Sequence, residues 1–356
     1  MFSMVHGPWP RVTKDGGDLD ALEAEQAAGH VTDDEVAAVR ERLVGDVIAV
    51  QVDAGLDLVT DGHVRWADPE RHALEAIVAI ANGEAEPGFL VAAWRAAMAH
   101  TDRPVAQSVP GPYTLGHRVV EGPVIGRYDV TVGIADTLGR ELRALADAGC
   151  PVVVIEEPAA VLIGGDKGER ALFAEAQRRL LESVPQLHAM LATTGGSVLE
   201  AGAETIFAAP YASHLVDLIA GPDNWTLVRA APGDRGIVCA ALQAGPGLRP
   251  DQSPELVWAA HYAASSMGRG IARVGLTNAT SLRRLSRRSA KNAARGLAKA
   301  ARLAVMPRED AVASGLDPRT FSILPPKPVA APVQAPRAER RRAARSSRPT
   351  RPAPES

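Results

Sequence analysis

Two adjacent carboxylates end a short apolar run, Gly-Cys-Pro-Val-Val-Val-Ile-Glu-Glu-Pro, at residues 149–158. Val152 to Ile155 are β-branched and continuous, the pattern of a strand buried in a parallel sheet. Glu156 and Glu157 follow directly, and Pro158 keeps Glu157 extended and blocks a helix start there. In a (β/α)8 barrel the C-terminal strand ends carry the chemistry. The pair therefore marks a candidate substrate site; the competing reading is an acidic loop at a strand end.

Other polar groups fall at the ends of apolar runs. Asp61-Gly62-His63 precedes Arg65 and Trp66, and Pro110-Gly111-Pro112-Tyr113-Thr114 follows another run. His188 lies within Leu187 to Leu191, Asp217 follows Leu215-Val216, and Asn278 to Ser281 precede a long helix. Each has a plainer reading. Asp61 suits a turn, Trp66 suits packing or a platform for a flat substrate, and His188 suits a core histidine.

The elements that must position these groups alternate. Strands are expected at Met4–Pro10, 56–60, Pro104–Val109, 152–155, Gln186–Ala192, Leu215–Ile219, Thr226–Arg229, Gly236–Leu242 and Ala272–Thr277. Thr32-Asp-Asp-Glu35 is a capping box that opens a helix to Ala54, closed by Gly55. Further helices are expected at 73–81, 129–148, 170–182, near 198–204, 255–267 and 286–303. Strand–helix alternation predicts an α/β fold with a parallel sheet, and the strand-end chemistry predicts a (β/α)8 TIM barrel. No Gly-x-Gly-x-x-Gly follows the first strand, so a dinucleotide-binding fold is not supported.

The chain has 356 residues, 46% hydrophobic and 23% charged, as in ordinary globular proteins. A net charge of −3 does not suit a nucleic-acid binder. Two cysteines, Cys150 and Cys239, make no disulfide framework, and a cytoplasmic location is expected. The N-terminus lacks the pattern of a signal peptide, and no apolar run reaches the ~18 residues of a membrane span. The barrel is assigned to residues 1–308, a linker to 309–324, and a basic Pro/Ala/Arg-rich tail, expected to be disordered, to 325–356. The tail's expected role is solubilising, with at most weak polyanion binding.

The order of these motifs resembles the cobalamin-independent methionine synthase family, in its C-terminal catalytic barrel and archaeal-type core form. Gln51 to His63 is similar to that family's Q-x-x-A-G-x-D-x-x-x-D-G-E segment, and Gly111 to Leu115 is similar to G-P-x-T-L. Ala148 to Ala159 resembles A-G-x-x-x-x-Q-x-D-E-P-A, and the likeness runs through residues 1–308 in order. The resemblance implies a TIM barrel that moves a methyl group from a folate-type donor to homocysteine or another small acceptor. It implies His63, Glu156 and Glu157 as catalytic residues, with Asp61, Trp66, Tyr113 and Thr114 binding substrate.

The resemblance also implies a zinc site, but the matching positions have changed. The H-x-C strand end reads His188-Ala189-Met190, the glutamate position falls near Asp217, and the C-G-L cysteine is Thr280. A thioether and a hydroxyl stand where thiolates would bind, so zinc is expected to be weak or absent. Two other functions compete with methyl transfer. One is a ligand-binding or regulatory protein that has lost catalysis. The other is a metal-free lyase like uroporphyrinogen decarboxylase, using Arg11 and Arg65 for substrate carboxylates.

Overall fold

The computed structural model describes residues 1–120, 122, 124–182, 184–245 and 251–323. The strands are β1 (Phe2–Ser3), β2 (Ala106–Pro110), β3 (Val152–Glu156), β4 (Ala189–Thr193), β5 (Ser213–Asp217), β6 (Gly236–Leu242) and β7 (Val274–Asn278). They form one curled parallel sheet in the order β1-β7-β6-β5-β4-β3-β2. The first helices are α1 (Leu19–Ala27), α2 (Asp33–Ala54), α3 (Pro69–Ala81), α4 (Phe89–Met98), α5 (Pro112–Val119) and α6 (Val124–Asp147). They are followed by α7 (Lys167–Leu181), α8 (Ala203–Ile206), α9 (Trp225–Ala230), α10 (Ser253–Ser265), α11 (Arg287–Val305) and α12 (Arg308–Ala313). Among the described residues no helix is long and apolar enough to cross a membrane.

The sheet's two edges are joined through the short segment 57–59. The amides of Asp57 and Leu58 donate to Ser3 O, that of Val59 donates to Pro104 O, and that of Ala106 donates to Val59 O. Side chains alternate across the sheet. Met4, Leu58, Ala106, Val154, Met190, Leu215 and Val238 pack with each other on the inside of the curl. Val153, Ile155, Leu191, Val216 and Ile237 face the other way, into the larger core shared with the helices.

Local chemistry explains the best-defined elements. Thr32 and Glu35 make both halves of the expected capping box, and Gly55 ends α2 in the left-handed region. Other expectations are corrected. The first strand is Phe2–Ser3 and ends before the expected Met4–Pro10, a stretch where Gly7 adopts a φ of 74° and Pro8 and Pro10 have no amide to give a ladder. Residues 226–229 are part of α9 rather than a strand. There the Asn224 side chain accepts from the Val198 amide and donates to Asp217 O, fixing the turn that starts the helix. The stretch expected as a linker carries α12 and a 3-10 turn at Pro318–Ile323, with Ala311 and Leu316 buried. Residues 324–356, including the expected tail, lie outside the described residues.

One outward-facing β5 residue makes the fold acid-sensitive. His214 is 2% exposed, neither ring nitrogen has a hydrogen-bond partner among the described residues, and its ring stands edge-on to Phe207. Burial first, then Arg235 and Arg269, push its pKa from 6.5 down to about 3. The unfolded chain therefore takes up this proton first, so stability is lost as pH falls from 6.5 towards 3. His214→Phe keeps the ring packing and removes this loss. Urea midpoints measured against pH should then fall less in the variant than in the parent chain; equal falls would contradict the assignment.

Candidate functional site

The site is built where three loops meet at the C-terminal ends of the strands. The first is the 60–63 turn. Gln51, buried on α2, donates to Thr60 O at 2.7 Å and accepts from the Thr60 amide at 3.1 Å, holding the turn from beneath. Asp61 Oδ1 accepts from the His63 amide at 3.0 Å, and His63 adopts a left-handed φ of 53°. Gly62 O accepts from the Trp9 amide at 2.8 Å, which brings the chain after β1 alongside this turn. A Cβ on Gly62 would lie 2.7 Å from that of Trp9, so only glycine allows this approach.

The second loop follows β1 and carries His6. Asn278, at the end of β7, accepts from the His6 amide at 3.0 Å and donates to His6 O at 2.9 Å. The third is the end of β3. Glu156 points inward, as its parity with Val154 requires, and Glu157 points outward with Ile155. Glu156 Oε1 lies 3.2 Å from His63 Nε2 and 3.5 Å from His6 Nδ1.

The electrostatics of this trio are unequal. Burial lowers the pKa of His63, but the Glu156 carboxylate and Asp61 outweigh it and lift the pKa to about 9. Burial also lowers the pKa of His6, and there it prevails over Glu156. For Glu156, burial opposes ionisation, yet His63 and His6 hold its pKa below the usual carboxyl range. At neutral pH the trio is thus an imidazolium, a carboxylate and a neutral imidazole.

A cavity of about 1040 Å³ opens over Glu156 and His63, with Thr114, Pro158 and Thr280 in its wall. Ion pairs staple its mouth. Arg118 reaches Asp68 at 2.7 Å and Glu70 at 3.5 Å, and Arg283 grips both oxygens of Asp20 at 2.9 Å. Sequence reasoning missed His6, Arg118 and Arg283. His6 did carry a signal, since it follows Met4-Val5 and precedes Gly7-Pro8; a strand expected to run to Pro10 hid it.

Several expected site residues lie elsewhere. Glu157 is fully buried and does not line the cavity. It accepts from the Tyr113 amide (3.0 Å), the Thr114 amide (2.7 Å), the Thr114 hydroxyl (2.6 Å) and Gln177 Nε2 (2.6 Å). It therefore caps α5, whose own N-cap residue, Gly111, has no side chain to do so. Tyr113 is also fully buried, donates to Glu169 Oε2 at 2.8 Å and packs edge-on against Phe173. Trp66 is half-buried and stacks on His72 with ring centroids 4.5 Å apart, outside the cavity wall. Asp61 sits under the site as the acceptor of its turn.

The positions matched to metal ligands do not converge. In the parallel register Glu156 lies level with Ala192, and Met190 lies level with Val154, inside the curl. His188 precedes β4, is exposed, and bonds Ser213 Oγ at 2.9 Å at the opposite end of the sheet. Asp217 does stand at the correct end of β5, but its carboxylate is occupied. Oδ2 accepts from the Gly195 amide, and Oδ1 accepts from the Ile219 and Ala220 amides. Thr280 is exposed in the cavity wall. Among the described residues no group of three or more His, Cys, Asp or Glu side chains could hold a metal ion. The donor set does not fit zinc. The arginines wanted by a lyase are also committed, since Arg11 binds Val64 O, Asp20 and Glu23 while Arg65 pairs with Glu41 and Asp61.

No family model matches the chain. A stretch of 95 residues is 36% identical to a 5-methyltetrahydropteroyltriglutamate–homocysteine methyltransferase from Parvibaculum lavamentivorans. That stretch is 26% of this chain and spans only 12% of the length of that relative. A B12-independent methionine synthase from Shewanella, solved in complex with selenomethionine, superposes with a TM-score of 0.61 at 13% identity. The match covers 87% of this chain and 98% of that one. A Listeria monocytogenes protein assigned as a vitamin-B12 independent methionine synthase gives 0.64 at 16% identity, over 84% and 95% of the two chains. The chain thus resembles the cobalamin-independent methionine synthases, in fold over most of its length and in sequence over a short part.

The assignment of Glu157 as a structural cap has a direct test. Glu157→Ala leaves two α5 amides, the Thr114 hydroxyl and Gln177 without their acceptor, and should cost about 3 kcal/mol in urea unfolding, while Glu157→Gln should cost less. Gly111→Ala should be similarly harmful, because an added Cβ overlaps the Glu157 carboxyl. A Glu157→Ala variant as stable as the parent but inactive would instead make Glu157 a catalytic group.

Proposed function

We propose that the chain is a small-molecule methyltransferase on a closed (β/α)8 barrel, in which segment 57–59 serves as the eighth strand between β1 and β2. The reading rests on the fold likeness, on the short stretch of sequence identity, and on one observation within the site. A carboxylate and an imidazolium stand side by side at strand ends, under a cavity large enough for two small reactants.

The reaction class needs two proton transfers. As the methyl group leaves a folate-type donor, the leaving nitrogen gains a proton; as the acceptor is methylated, it loses one. His63 carries a proton at neutral pH and donates it to the leaving nitrogen. Glu156, ionised beside it, accepts the proton of the acceptor. The carbon–nitrogen bond of the donor breaks, the acceptor–methyl bond forms, and the imidazole–carboxylate pair then shares the collected proton to return to its starting state. The opposed shifts of the two neighbours, each caused largely by the other, fit His63 as the acid and Glu156 as the base. No step passes through a metal, since the donor set does not fit one. Ligand binding without turnover is the second reading, favoured by Asp217, the remaining strand-end carboxylate, being fully bound to backbone amides.

The test is transfer of a labelled methyl group from 5-methyltetrahydrofolate to a panel of small acceptors that includes homocysteine, with and without a chelator. The account expects product whose yield the chelator leaves unchanged, and a loss of about 10²-fold or more in His63→Gln and Glu156→Gln. Binding with no methylated product from any acceptor would establish the second reading instead.

A further inference from the structure

His6 is a buried titratable group beside the reacting pair that the scheme above does not use. We propose that it is the positioning residue of the site, sharing the Glu156 carboxylate with His63 and taking it over whenever His63 has given up its proton. This rests on the reading of Glu156 and His63 as a proton-handling pair.

The geometry carries the inference. One oxygen, Glu156 Oε1, faces His63 Nε2 at 3.2 Å and His6 Nδ1 at 3.5 Å. All three atoms are buried, and none has another hydrogen-bond partner among the described residues. A carboxylate removed from water and left unpaired is strongly destabilising. When His63 passes its proton to the leaving group, Glu156 loses its imidazolium partner and keeps only the Ser108 hydrogen bond until it collects the acceptor's proton. Asn278 clamps the backbone amide and carbonyl of His6, which fixes where its side chain starts, and the ring is buried against Glu156. It does not line the cavity, so it acts through Glu156 rather than on the reactants.

The charged and titratable groups around His6 come from three elements. They are Glu156 on β3, His63 on the 60–63 turn and Asp217 on β5, while β7 presents the neutral Asn278. Two carboxylates and one imidazolium therefore surround a neutral imidazole, and loss of the His63 proton tips the balance towards protonating His6. With the resting proton of His6 on Nε2, the proton taken from the acceptor by Glu156 then rests on His6 Nδ1, and returns through Glu156 to His63 once the product leaves. No bond to carbon changes in this relay and nothing is oxidised.

The test is an imidazole 1H–15N titration of the full chain, without reactants. In the parent protein His63 should titrate near 9 and His6 below 6.5. In His63→Gln, His6 should inherit the carboxylate and its midpoint should rise by roughly one unit or more. In Glu156→Gln no such rise is available, and both midpoints should fall. A His6 midpoint that His63→Gln leaves in place would overturn the proposal. If His63→Gln does not fold, Glu156→Gln decides alone, and an unmoved His6 there is equally fatal. The titration needs no turnover, so its failure is separate from failure of the methyl-transfer assay. If that assay succeeds, His6→Gln should move the acid-side inflection of the pH–rate profile, whereas a purely structural His6 would scale the whole profile without reshaping it.

Discussion

The Glu156 carboxylate at the end of β3 borders the cavity with one oxygen buried, and the face of the sheet around it is arranged to neutralise it. Glu156 stands on the inward side of its strand, where alternation leaves it no choice. Its counter-charge comes from His63, held in a strained left-handed conformation that only a rigid turn could maintain. Gln51 supports that turn from below, Trp9 closes it from the side, and the Gly62 backbone makes the close approach feasible. Three separate parts of the chain are thus committed to placing one imidazole beside one carboxylate.

The neighbouring acid shows how the same strand end serves a second purpose. Glu157 differs from Glu156 by a single residue and therefore faces the opposite side, towards α5 and α7. There it meets amides, a hydroxyl and an amide side chain, and becomes the cap of a helix that cannot cap itself. Tyr211 continues the chain by donating to Gln177 Oε1. This network fixes the loop that carries Thr114 to the cavity wall. One acid of the pair faces the cavity and the other builds the wall beside it.

Much of this was legible in the amino-acid sequence, and the exceptions have physical causes. The apolar run before Glu156, the capping box at Thr32 and the Asp61-Gly62-His63 turn each follow local rules that the structure obeys. What failed depended on register. His188 and Met190 sit in a good apolar strand, but no local rule states which residue lies level with Glu156. The parallel pairing of β3 with β4 assigns that level to Ala192, leaving Met190 inside the curl and His188 at the opposite end. The two jobs of Glu156 and Glu157 were hidden for a related reason, since two adjacent acids look alike until the direction of each side chain is known. His6 was concealed by an overlong first strand, and Arg118 and Arg283 are visible only once distant segments meet at the cavity mouth.

The central claim is that a buried imidazolium–carboxylate pair joins Glu156 to His63, and the pH dependence of the unfolding free energy tests it most directly. His63 has its pKa raised in the folded state from 6.5 to about 9. Its contribution is therefore full below pH 6.5 and is lost as pH rises through about 9. The parent chain should lose on the order of 3 kcal/mol more than Glu156→Gln across that window. Parallel curves for the two proteins between pH 6.5 and 9 would show that no such pair forms, and would contradict the account.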